Sequence, residues 1–226
     1  MECKREISIR NIEPDDSICL SLKLCTKLQI INIEHCRFKD DIFESFISCI
    51  SSCPTLGWIF LKHNNLKDIH SKYIIDKFDV FRSLNCLNLT NNLISKVGAK
   101  NLSDNIFRCP TLTMLIINDT YKDIKEEINI NLQNNINLIS NFHSIVLSHN
   151  EYTVKLSLFP TLINSFNNGR TLLHHLVIDE KHTELLVDIL KHNPTPYLTD
   201  IIYDKIPLQM CNNKNKDILE EYMNNY

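Results

Sequence analysis

A short hydrophobic pattern recurs along this chain at a fixed interval. The pattern is Leu-x-x-Leu-x-Leu, with other apolar residues at some positions, and its alternation is typical of a short strand with one buried face. Four copies begin at evenly spaced leucines: Leu28, Leu56, Leu84 and Leu112. The interval is 28 residues three times in succession. Strands spaced in this way predict a repeat architecture in which neighbouring units share one core.

Two further copies extend the series. A fifth strand is predicted at Phe142, Ile145 and Leu147, which begins 30 residues after the fourth copy. Upstream of the first copy, Ile7 and Ile9 predict a shortened strand. The chain therefore predicts five to six repeats.

The segments between these strands have the hydrophobic spacing of helices. Ile42, Phe46 and Ile50 show this spacing, and a Cys-Pro-Thr-Leu sequence at 53–56 ends the helix and returns the chain to a strand. A small or polar residue follows each strand by three positions: Cys36, Asn64, Asn92, Thr120 and Asn150. We expect these side chains to bond to turn backbone that would otherwise stay unpaired.

One unit shows the whole pattern: Leu84, Leu87, Leu89, Asn92, Ile94, Gly98, Leu102, Ile106 and Cys109-Pro110. This unit resembles a leucine-rich repeat of the ribonuclease-inhibitor type, and the resemblance covers residues 1–162. It implies an α/β solenoid, an open horseshoe with parallel strands inside and helices outside. Lys122 stands where the fifth unit should have an apolar residue, and residues 129–141 are rich in Asn. We therefore expect the fifth repeat unit to be distorted.

The C-terminal residues 163–226 have a different pattern. The sequence Gly-Arg-Thr-Leu-Leu-His at 169–174 is similar to the opening of an ankyrin repeat, and an apolar helix is expected around Leu186 and Leu190. A degenerate second copy opens at Ile206-Pro207-Leu208. The resemblance implies about two α-helical ankyrin-like repeats, which we expect to cap the horseshoe and cover the open edge of its sheet.

Composition limits the classes of partner. Lys and Arg total 24 against 27 Asp and Glu, a net charge of −3, so nucleic acid is not the expected partner. No apolar run is long enough for a membrane helix, and the charged N-terminus lacks an export signal. Nine scattered cysteines predict reduced thiols in an intracellular protein of the cytoplasm or nucleus.

The motifs of catalysis and cofactor binding are missing from the sequence. There is no Cys-x-x-Cys, no Gly-x-Ser-x-Gly, no phosphate-binding glycine loop and no His-Glu-x-x-His. His174 is expected to be structural, by its place in the ankyrin-like opening. We therefore expect no catalytic residues, no metal, no cofactor and no small-molecule substrate.

The residues between the core positions of each strand are predicted to line the inner surface of the horseshoe. They include Trp58, the single tryptophan of the chain. The predicted protein-binding residues are Ile30, Asn32, Trp58, Phe60, Lys62, Asn88, Met114, Ile116 and Val146. Aromatic anchors bordered by polar groups are typical of protein-binding surfaces. The alternatives are that the C-terminal segment covers these residues, or that they reflect only a compositional bias toward Ile.

These patterns favour a non-catalytic scaffold or adaptor that binds a protein partner on its concave face. One alternative is a GTPase-activating protein that uses Arg37. Some proteins of the family that this chain resembles have that activity, and Arg37 lies in a loop just after a predicted strand. Another is a chromatin or repair scaffold, a class in which some proteins combine the same two repeat types in the opposite order.

Overall fold

The computed structural model describes residues 5–23, 25, 27–148, 162, 166–167, 170–178, 182–192 and 207–225. Its contacts divide the chain into two compact units, residues 1–136 and 137–226. The first unit is an α/β fold built on a five-stranded parallel sheet. A boundary between leucine-rich and ankyrin-like repeats after residue 162 stays a prediction.

Strands and helices alternate in the first part of the chain. In order they are β1 (Glu6–Arg10), α1 (Asp16–Lys23), β2 (Ile30–Glu34), α2 (Asp40–Ser51), β3 (Trp58–Phe60), α3 (Asp68–Ile75), β4 (Cys86–Asn88), α4 (Lys96–Asn105), β5 (Met114–Ile116) and α5 (Lys122–Ser148). A 3-10 turn, Ile106–Arg108, follows α4. Among the described residues, no helix is both long and apolar enough to cross a membrane.

The strands lie side by side in chain order. Each pairs in parallel with the next, so that Ile31, Ile59, Leu87 and Leu115 form one row across β2 to β5. β1 and β5 are the edges of this sheet, which is therefore not closed into a barrel. The structure confirms the predicted strands that follow Leu28, Leu56, Leu84 and Leu112, and it confirms the shortened strand at Ile7 and Ile9.

The core of the first unit is built from the repeated apolar positions. The four leading leucines, Leu28, Leu56, Leu84 and Leu112, are each 0% exposed. Helix residues such as Phe43 and Phe46 of α2 belong to the same buried cluster. Alternation along the strands and a 3- to 4-residue spacing along the helices bring these positions together.

Asparagine side chains connect successive turns of the chain. The Asn64 Oδ1 accepts a hydrogen bond from the Cys36 backbone N–H at 2.8 Å, and the Asn92 Oδ1 accepts one from the Asn64 N–H at 2.9 Å. The predicted turn-bonding role of Asn64 and Asn92 is therefore confirmed. Thr120 is exposed instead, and Asn118 accepts the hydrogen bond from the Asn91 N–H. The predicted fifth position, Asn150, lies outside the described residues.

The fifth predicted strand is wrong. Phe142, Ile145 and Leu147 lie in helix α5, which runs without interruption from Lys122. Phe142 and Val146 are both buried, as residues four positions apart on one helix face should be. Three apolar residues at i, i+3 and i+5 fit both a strand pattern and part of a helical stripe, so the pattern is ambiguous over so short a run.

The Asn-rich segment is helical, and the repeat unit that contains it departs from the other units, as the sequence predicts, because α5 continues through the place of its strand. Residues 129–141 belong to α5. The Asn135 side chain is buried and its Nδ2 donates hydrogen bonds to the backbone oxygens of Cys109 and Leu112, at 3.0 and 2.8 Å. Asn135 therefore pairs two carbonyl groups that follow α4. These hydrogen bonds stabilise α5 at a residue type whose helix propensity is low.

Among its described residues, the second unit contains the end of α5, a short antiparallel pair, β6 (Phe166–Asn167) and β7 (Arg170–Thr171), and four further helices. These helices are α6 (Leu172–Leu176), α7 (Thr183–His192), α8 (Pro207–Met210) and α9 (Asn213–Asn225). The helix predicted around Leu186 and Leu190 is confirmed as α7. The opening residues Gly169 and Ile206 lie outside the described residues. Assignment to the ankyrin class stays a prediction.

Candidate functional site

One face of the parallel sheet points away from the core of the first unit. Its residues form two rows in register across β2 to β5: Ile30, Trp58, Cys86 and Met114, and then Asn32, Phe60, Asn88 and Ile116. We call this surface the Trp58 face. Its residues alternate with buried positions such as Ile59 and Leu87, because successive side chains of a strand point to opposite sides.

The Trp58 face carries five large apolar side chains that stay at least partly exposed. Met114 is 49% exposed, and Ile30, Trp58, Phe60 and Ile116 are half-buried. Within the described residues, none of these five belongs to a buried apolar cluster. These five side chains therefore lie outside the buried apolar clusters, and their role in binding stays a prediction.

Two members of the face are buried. Cys86 is 3% exposed and Asn88 is 6% exposed. Both are smaller than the neighbours in their rows, where strands lie about 4.8 Å apart, so the larger side chains on either side cover them. Asn88 Oδ1 accepts hydrogen bonds from the Thr90 N–H and Oγ1–H, at 3.1 and 2.9 Å. Asn88 therefore orders the end of β4 and offers little surface to a partner.

The Cys86 thiol is not a reactive group. Burial raises the pKa of this thiol to about 11, and the nearby positive charge of Lys62 opposes the increase only in part. Lys62 itself follows β3 and is half-buried at the border of the face. A thiol with so high a pKa is a poor nucleophile at neutral pH.

Val146 is not part of this surface, and its predicted place there is wrong. It lies in α5 and is 2% exposed, in a buried cluster of the second unit with Ile139 and Phe142. The error follows directly from the strand that the sequence predicted at Phe142–Leu147. The Trp58 face thus ends at Met114 and Ile116 among the described strands.

Polar groups border the face at the ends of the strands. The Glu34 carboxylate forms an ion pair with the Arg10 guanidinium at 3.1 Å. Asn32 Oδ1 is buried and has no hydrogen-bond partner within the described part of the chain. The face therefore combines apolar bulk with a small number of polar groups.

Arg37 lies in the loop after β2 and is exposed. Its backbone N–H donates a hydrogen bond to the Ile12 carbonyl oxygen at 3.3 Å, which fixes the loop and leaves the side chain toward solvent. Across the described ranges, no group of three His, Cys, Asp or Glu side chains is arranged to hold a metal ion.

The chain is similar in fold to a known solved structure. No family model matches the chain, and no curated protein matches it. Among solved structures, the chain is similar to leiomodin-1 actin-binding site 2, with a TM-score of 0.53 and 12% sequence identity. The match covers 61% of this chain and 83% of the leiomodin chain. At this identity the similarity concerns the fold alone.

Proposed function

We propose that this chain is a leucine-rich-repeat protein of the ribonuclease-inhibitor type that acts as a non-catalytic scaffold or adaptor. Its horseshoe would bind a protein partner on the concave side, which we assign to the Trp58 face. The observation that carries the proposal is the row of Ile30, Trp58 and Met114 beside Phe60 and Ile116, all outside the buried clusters of the described residues.

The composition of the face supports a protein as the ligand. A tryptophan and a phenylalanine lie two residues apart on one strand and so point to the same side. Aromatic side chains of this kind dominate the binding energy of many protein interfaces, and truncation of each well-buried one costs about 2 kcal/mol or more. Lys62 and the Arg10–Glu34 pair supply a polar border.

Actin is the first partner to test. A solved structure that this chain resembles is named for an actin-binding site. Because a shared fold does not by itself carry a shared function, actin binding has to be measured. We place the protein inside the cell, in the cytoplasm or nucleus, because the nine cysteines of the sequence are scattered and lack the paired layout of a disulfide framework.

The test compares two double variants. Trp58→Ala with Phe60→Ala removes the two aromatic anchors of the face, whereas Leu93→Ala with Val97→Ala removes two exposed apolar side chains that lie outside the sheet. Both variants and the parent chain are used in binding assays with actin monomers and filaments. The same three proteins are then used as baits in cell extract, with captured proteins purified and titrated individually.

A partner that binds the parent and the Leu93/Val97 variant equally, and the Trp58/Phe60 variant about a hundredfold more weakly, supports the proposal. If actin does not bind the parent, the extract experiment supplies the partner to titrate. A partner that binds all three proteins with equal affinity contradicts the assignment of the Trp58 face.

A further inference from the structure

A second site lies in the loops that follow the strands. At the carboxyl ends of β2 and β3 there is a cleft of about 330 Å³, lined by His35, Cys36, Arg37, His63, Asn65 and Asn91. His35, His63 and Asn91 occupy equivalent positions in successive repeats. Each has a positive φ, between 55° and 57°, which aims the three side chains in the same direction from the loop.

The two histidines are held against each other. Their ring centroids lie 4.5 Å apart and the rings are nearly parallel, with 12° between their planes. Asn91 Nδ2 lies 3.0 Å from His63 Nε2, and the Asn91 backbone N–H donates to Asn118 Oδ1 at 2.6 Å. The rings are therefore ordered by neighbours from the following repeats.

The lining of this cleft contains donors and a cation but no carboxylate. Arg37 is exposed, and its guanidinium forms no ion pair with any described residue. The acidic residues near these positions in the sequence have partners elsewhere: Glu34 pairs with Arg10, Asp40 pairs with His70, and Asp68 accepts hydrogen bonds from Ser95. The cleft is thus locally positive in a chain whose net charge is −3.

We propose that this cleft is an oxyanion site, which takes a carboxylate or a phosphate group. The Arg37 guanidinium supplies the charge, and the imidazole N–H groups and the Asn91 side chain supply further donors. The site is distinct from the apolar Trp58 face, and it does not depend on that face binding a protein.

The geometry favours an anion over a metal ion. A histidine binds zinc along its ring plane with a bond of about 2.0–2.1 Å, and nearly parallel stacked rings do not direct their nitrogens at one point. The guanidinium of Arg37 would also repel a cation in the same cleft.

The test is a titration of the ¹⁵N-histidine-labelled chain with inorganic phosphate and separately with acetate, at constant ionic strength. We expect saturable shifts of the His35 and His63 imidazole signals. Arg37→Gln should weaken the response at least about tenfold, since a charge-assisted contact is lost. Arg82→Gln is the matched control, because Arg82 is an exposed arginine that precedes β4 and so lies at the other ends of the strands.

A second variant removes the imidazoles without disturbing the loops. His35→Asn with His63→Asn keeps a residue type that adopts this positive φ at the equivalent position Asn91. This variant should also weaken phosphate binding several-fold while its thermal unfolding is unchanged. A response to phosphate alone identifies a phosphate group as the ligand, and a response to both anions identifies a general oxyanion site.

Three results would overturn the proposal. They are an absence of saturable shifts with either anion, an equal loss of affinity in the Arg82 control, and unchanged affinity in Arg37→Gln. A Zn²⁺ titration under the same conditions completes the experiment, and saturable zinc binding without anion binding would replace the oxyanion site by a metal site.

Discussion

The side chain of Asn92 bonds to the backbone of Asn64, 28 residues earlier in the chain. Its Oδ1 accepts hydrogen bonds from the N–H groups of Asn64 and Leu66, at 2.9 and 3.0 Å. Its Nδ2 donates to the carbonyl oxygens of Leu61 and Leu89, at 2.7 and 2.9 Å. The buried Asn92 amide therefore forms hydrogen bonds with these four backbone groups in two successive repeats. These hydrogen bonds connect the repeats, as the shared apolar core does.

Asn92→Ala should lower the free energy of unfolding by about 2–4 kcal/mol, because buried N–H and C=O groups lose their partners. Urea unfolding followed by circular dichroism measures this change. Asn101→Ala is the control, since Asn101 is exposed on α4 and its replacement by a good helix former should change stability by less than about 0.5 kcal/mol. Equal effects of the two substitutions would contradict the structural role of Asn92.

Leu87→Ala should destabilise the first unit by about 2–5 kcal/mol, because Leu87 is 1% exposed and its removal leaves a cavity in the core. Met114→Ala removes a side chain of similar size from the Trp58 face, where Met114 is 49% exposed. Its cost should stay below about 1 kcal/mol. Thermal or urea unfolding of both variants tests which face of the sheet packs against the core. A larger loss of stability in Met114→Ala than in Leu87→Ala would contradict the assignment of the two faces.

The core and most of the candidate site could be predicted from the sequence, because each strand alternates buried and outward positions and the 28-residue interval fixes their register. Trp58 and Phe60 follow from that rule. Asn88 also follows it, but its burial depends on the sizes of its neighbours, which alternation does not describe.

In helix α5 the hydrophobic pattern of the strands gives a wrong prediction. Phe142, Ile145 and Leu147 match the strand step, yet Ile139, Phe142 and Val146 are the residues buried together on a helix. The hydrogen bonds of Asn135 to the Cys109 and Leu112 carbonyls add a tertiary contact that no local pattern shows. The stacking of His35 on His63 was likewise missed, although both lie at one repeat position, because ring contact depends on loop conformation.

Gly98→Ala should destabilise the protein, although a helix with alanine at an interior position is normally about 1 kcal/mol more stable than the same helix with glycine. A Cβ at this position in α4 would clash with Asp68 Oδ1 and would lie 2.9 Å from Ile94 Cγ2. The same Asp68 oxygen accepts the hydrogen bond of the Ser95 N–H at 2.7 Å, so it cannot move without loss. We expect a net cost of about 1–3 kcal/mol in urea unfolding. A stabilised variant would show that the contact between α3 and α4 is looser.

The second unit should lose stability in mild acid through His143. Burial, with a smaller effect of His175, lowers the pKa of His143 from 6.5 to about 4. The unfolded chain then binds a proton that the folded chain does not, so the free energy of unfolding falls as the pH drops from about 6.5 toward about 4. At pH 5 this group alone contributes a loss of about 2 kcal/mol relative to pH 7.5.

His143→Gln should flatten that pH dependence, whatever its effect on stability at pH 7.5. Leu93→Ala, which changes an exposed side chain without a titratable group, should leave the dependence as it is in the parent chain. Urea unfolding at pH 5 and pH 7.5 compares the three proteins. An unchanged pH dependence in His143→Gln would contradict a buried neutral imidazole at this position.

Acrylamide quenching of tryptophan fluorescence tests most directly whether the Trp58 face is available to a partner. Trp58 is the only tryptophan of the chain, so the emission reports on this position alone. For a half-buried indole we expect quenching in the free protein at an intermediate rate, between that of a free tryptophan derivative and that of a buried residue. Addition of the partner should shield the indole and reduce the quenching. A blue-shifted, unquenchable indole in the free protein would contradict the proposed binding surface.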